Sequence, residues 1–119
     1  MYGVPQNLDL RQFHRDYLAQ VCLGPYDIKF RFGPGSEIGV EGDWELTAPD
    51  GTVLDRAIRP PAEREGYKVH VLLGAVVAGS AVDPPRSFTL LFENGMQLTV
   101  FDSSEQYESF SIQPGDIFV

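Results

Sequence analysis

Hydrophobic and polar residues alternate along two stretches of this chain with the period of two that marks a strand with one buried face. In the first, Ile28, Phe30 and Phe32 alternate with Lys29 and Arg31, Gly33-Pro34-Gly35 interrupts the run, and Ile38 and Val40 resume it. In the second, Phe88, Leu90 and Phe92 lead to Asn94-Gly95, and Leu98 and Val100 follow. A glycine in each break supplies the positive φ of a tight turn, so each stretch predicts an antiparallel hairpin. Gly35 stands opposite Gly95 in this comparison, and each matched pair lies sixty residues apart without a gap. Upstream, the same spacing sets Phe13 against Leu73, Tyr17 against Val77 and Cys22 against Val82. A further strand is therefore expected ahead of each hairpin.

The pattern reads as an internal repeat, about 8–48 and 68–112, within one domain spanning 1–119 and joined by a mobile loop at 55–66. Each hairpin has one apolar face to bury, and its copy offers the complement. The predicted fold is mainly β, with antiparallel sheets from two pseudo-symmetric hairpin units forming a sandwich or half-barrel with one or two short helices; an α+β fold is the alternative. Segments 8–13 and 67–73 fit a short helix or a strand, with a helical turn favoured in the first. Pro49-Asp50-Gly51-Thr52 is a turn, and it predicts a small hairpin from Trp44–Ala48 and Thr52–Leu54. Asp102-Ser103-Ser104-Glu105 is a capping sequence that predicts one helical turn at 105–108. The apolar ending Ile117-Phe118-Val119 predicts a last docked strand.

Composition narrows the function classes. Of 119 residues, 43% are hydrophobic, enough for a packed core. A net charge of -8 is the wrong sign for binding phosphates or an anionic membrane surface, so neither nucleic acid nor membrane is an expected partner. A single cysteine forms no internal disulfide, and no basic patch precedes an apolar run at the N-terminus; a cytoplasmic location is the expectation.

Candidate chemistry is sparse. His14 and His70 lack the spacing that sets two ligands on one face, and no metal or cofactor is expected. Cys22 falls opposite an apolar position and reads as a packing residue. The serines lack a nucleophile elbow, and Gly33-Pro34-Gly35 lacks the amide donors and following helix of a phosphate cradle. The chain is not expected to be an enzyme.

The acids carry more. Glu41, Asp43 and Glu45 follow the first hairpin; Asp102, Glu105 and Glu108 follow the second. After Val69 six acids face Arg86 alone. With Trp44 and Tyr107 as aromatic anchors, these residues describe a surface for a basic protein partner. A solvated face and core-packed aromatics are the ordinary alternative.

Two segments carry a resemblance. Phe92-Glu93-Asn94-Gly95 with Leu98, then Tyr107-Glu108-Ser109-Phe110, resembles a family of small uncharacterised bacterial domains with an F-x-N/D-G-x-x-L hairpin and a Y-E-S-aromatic segment. Val21 to Tyr26 and Glu41-Gly42-Asp43-Trp44 in the first half are similar too. The family carries no catalytic residues to transfer, and some small acidic proteins of this kind resemble immunity proteins of toxin systems. The expected function is a non-catalytic protein-binding module, one form being an immunity-like antagonist of a basic bacterial toxin. The alternatives are a small-ligand domain with a pocket between the two units, and a structural homodimer that pairs exposed strand edges.

Overall fold

The computed structural model describes residues 3–58, 61–102, 109–115 and 117–119. Ten strands run in chain order: β1 (Leu18–Leu23), β2 (Ile28–Phe32), β3 (Ser36–Val40), β4 (Trp44–Thr47), β5 (Val53–Arg56), β6 (Val77–Asp83), β7 (Ser87–Phe92), β8 (Gln97–Phe101), β9 (Phe110–Gln113) and β10 (Ile117–Phe118). Helical structure among the described residues is limited to 3-10 turns at Arg11–Phe13, Pro61–Glu63 and Val69–Leu72. The two segments whose form the sequence left open are thus helical turns. The turn expected at 105–108 lies outside the described residues. No described helix is long and apolar enough to cross a membrane.

The strands form two antiparallel five-stranded sheets, ordered β1-β2-β3-β9-β10 and β5-β4-β8-β7-β6. Each half lends its last two strands to the other half's sheet: β4 pairs with β8, and β9 with β3. Neither half can therefore complete a sheet alone. Period two explains which residues meet inside. Phe30 pairs with Ile38 and Ile28 with Val40 in one sheet, Leu90 with Leu98 and Phe88 with Val100 in the other, and all eight are buried. Aromatic rings lock the sheets together: Phe30 meets Trp44 edge-on at 5.9 Å, and Phe88 meets Phe110 at 4.9 Å. Burying each such side chain contributes about 1.5–3 kcal/mol.

The halves correspond with two offsets rather than one. Tyr17 and Val76 form an isolated antiparallel bridge, flanked by Leu18 N–H donating to Ala75 O at 2.9 Å and Val77 N–H to Asp16 O at 2.8 Å. Outside these, Arg15 N–H donates to Val77 O and Gly74 N–H to Leu18 O, both at 2.8 Å. These contacts exchange under the shift that carries Tyr17 to Val76, one residue short of the hairpin shift. Phe13 therefore corresponds to Leu72 rather than Leu73, Tyr17 to Val76 rather than Val77, and Cys22 to Ala81 rather than Val82. The turn between β6 and β7 holds the extra residue: Asp83 and Ser87 pair across Pro84, Pro85 and Arg86, whereas Gly24 and Asp27 close around Pro25 and Tyr26.

Two further expectations change. In the first hairpin the positive φ belongs to Gly33, at 45°, and not to Gly35; Gly95, at 89°, fills that role in the second. The connection expected at 55–66 begins inside a strand, and an ion pair ties its described residues back to that strand. Asp55 and Arg56 belong to β5, and the Arg64 guanidinium forms an ion pair with the Asp55 carboxylate, their side chains 5% and 4% exposed.

Candidate functional site

The predicted acids lie where the chain changes sheets. After Val40 it leaves the first sheet through Glu41, Gly42 and Asp43 and enters the second as β4; after Phe101 it makes the reverse crossing and returns as β9. The described ends of the second crossover, Phe101–Asp102 and Ser109, lie against the first. Glu41 and Gly42 N–H both donate to Ser109 O at 2.9 Å, and Phe101 N–H donates to Asp43 O at 3.0 Å. Backbone pairing thus brings Glu41 and Asp43 of the first half to one end of the molecule with Asp102 of the second.

Asp102 is held firmly. Its Oδ2 accepts from Gly3 N–H and its Oδ1 from the Ser109 hydroxyl, both at 2.8 Å, while its own N–H donates to Arg86 O. Burial pushes its pKa up, but hydrogen bonds, those from Ser109 and Gly3 among them, and nearby positive charge outweigh this, and the carboxyl ends below its ordinary value. A negative charge is therefore fixed at the crossover end.

The remaining predicted residues separate. Trp44 is 4% exposed and packs on Phe30, so it is a core residue and not a surface anchor. Its neighbour Glu45 points the other way, onto the outer face of the second sheet, between Thr99 and Arg56. Glu105, Tyr107 and Glu108 lie outside the described residues. Four-residue alternation already held the signal for Trp44, since Trp44 and Leu46 share one face and Glu45 and Thr47 the other.

The histidines are apart and differently engaged. His14 Nε2 and Ser80 Oγ form a hydrogen bond at 2.9 Å that joins the two halves, and His70 Nδ1 lies 3.3 Å from Tyr67 O. Among the described residues no group of three or more potential ligands is placed to hold a metal ion. Cys22 stands half-buried on β1, opposite Lys29 of β2.

A groove of about 270 Å³ opens between β1 and the β2–β3 turn, lined by Gln20, Arg31, Pro34 and Glu37 among others. Arg31 donates there to Glu37 at 2.8 Å and to Gln20 at 3.4 Å. It lies within the first half, away from the junction where a ligand pocket was expected. No family model matches the chain, and neither a curated protein nor a solved structure matches it.

Proposed function

We propose that this protein is a non-catalytic binding module whose acidic crossover end docks a basic protein partner. The observation that carries this reading is the pairing of the two crossovers, which gathers Glu41, Asp43 and Asp102 from distant parts of the chain onto one end. Such convergence gives a local negative field that raises the association rate of a basic partner and weakens with salt. The net charge of -8 supports it. A basic toxin masked by an acidic antagonist is one pairing with this chemistry.

The reading is tested with the immobilised protein and extract of the source cells, followed by purification and titration of the captured protein. A basic protein retained at about 50 mM salt and released at about 500 mM is the expected result. The double variant Glu41→Gln, Asp43→Asn is expected to weaken that titration about tenfold. Affinity indifferent to salt and to the double variant would overturn the proposal.

A further inference from the structure

The two sheets present four strand edges, and exposed edges attract further strands unless they are short, charged, bulged or covered. Three are guarded in this way. β10 has only two residues. β5 carries Asp55 and Arg56, and Arg64 Nη1 donates to Arg56 O along it. β6 ends in Asp83, which is paired with Arg86; His14 reaches its Ser80, and Val4 N–H donates to Pro85 O in the turn that follows it.

β1 is the counterpart of β6, and past Leu18, which Gly74 and Ala75 cover, it has none of these protections among the described residues beyond a bulge. Its sequence, Leu-Ala-Gln-Val-Cys-Leu, contains neither charge nor proline. Exposed apolar side chains gather around it. Leu23 is 55% exposed and Tyr26, in the next turn, 87%; Tyr17 precedes the strand, and Val71 and Leu73 lead into the stretch that hydrogen-bonds to Leu18. Where His14 reaches β6 through its bond to Ser80, the residue equivalent to His14 on the β1 side is Leu73.

We propose that β1 is a homodimerisation edge, pairing antiparallel with β1 of a second copy to join two five-stranded sheets into one. The strand is suited to its own kind. A twofold axis sets each residue against one of the same strand, and β1 has no charge to be opposed by its like. Val21 and Leu23 pair with the inward-facing Phe30 and Ile28, yet Leu23 is left half in solvent. With Cys22 on the axis, Val21 of each copy stands opposite Leu23 of the other, and both are covered beyond the bulge.

Sedimentation across about 1–500 µM, with a short bis-maleimide probe at Cys22, the sole cysteine, tests this. A concentration-dependent dimer that the probe links covalently is expected. Leu23→Lys is expected to raise the dimer dissociation constant at least about tenfold with an unchanged Tm, whereas Ala81→Lys on the equivalent edge leaves it unaltered. A monomer at every concentration overturns the proposal, and so does a dimer that resists Leu23→Lys, escapes the probe or is broken by Ala81→Lys. If Leu23→Lys lowers Tm, Cys22→Lys, which sets two like charges against each other on the axis, provides a second block, and a dimer surviving it counts against β1 pairing.

Discussion

Two aspartates tie the ends of strands to the segments that lead into each half, and they do so in opposite surroundings. Asp55, at the end of the first half, accepts from Lys68 and Val69 N–H at 2.7 and 2.9 Å, fixing the entry to the 3-10 turn of the second half. It also accepts from Arg56 N–H and from Arg64, whose guanidinium lies 3.7 Å over the Tyr67 ring and donates to Gly66 O. Asp102 ties Gly3, at the entry to the first half, and stays partly exposed. The contrast shows how burial sets the terms. A sealed carboxylate persists only with a matched cation and a full set of donors, whereas water supplies part of what a partly exposed one needs.

The sealed tether gives the larger effect. Arg64→Ala leaves the Asp55 charge buried without its cation, and a loss of about 3–5 kcal/mol in unfolding free energy is expected by urea titration. Replacing both partners together, as Asp55→Leu with Arg64→Leu, removes the orphaned charge and should cost less than the single change, though Lys68 and Val69 N–H lose their acceptor. A double variant as damaged as Arg64→Ala would show that the backbone donors, rather than the ion pair, hold the connection.

Asp102 is the weaker partner of the comparison and responds to pH. Its folded pKa is depressed, so the stabilisation it supplies is present above the ordinary carboxylate range and fades as pH falls through the folded value. Asp102→Asn, which keeps one acceptor oxygen where the carboxylate offers one each to Gly3 N–H and the Ser109 hydroxyl, is expected to cost about 1 kcal/mol at neutral pH. The difference from the parent should shrink steadily in acid when unfolding is followed from pH 7 to pH 2. A gap that stays constant would mean that shape rather than charge does the holding.

The same inside-outside division explains what the sequence could disclose. Inward positions had to stay apolar at every second residue, so Ile28 and Phe88, Phe30 and Leu90, or Val40 and Val100, declared both hairpins and their burial. Outward positions are free to diverge: Lys29 stands where the other half has Thr89, Arg31 where it has Leu91, Glu37 where it has Gln97. The strand exchange had no periodic signature, because β4 and β9 would show the same alternation in either sheet. The acids of the crossover end were therefore legible by type, while their meeting was not. Asp55 with Arg64 and His14 with Ser80 were silent for a similar reason, since each pair joins residues that no local repeat relates.

The glycines that the repeat equates sharpen the comparison at its smallest scale. Gly35 and Gly95 occupy matched places in the two hairpin turns, yet only Gly95 has a positive φ, and a Cβ on it would lie 2.9 Å from Pro49 Cγ of the neighbouring turn. Around Gly35 nothing lies within 4 Å of such an atom. Gly95→Ala should therefore destabilise by about 1 kcal/mol, since alanine resists the left-handed backbone and Pro49 must give way. Gly35→Ala should be neutral or stabilise by about 0.5 kcal/mol, because it only narrows the unfolded ensemble. Thermal unfolding of the two variants side by side measures the difference directly. Equal losses would mean that both turns need the same backbone, and that Gly33 does not carry the left-handed residue of the first.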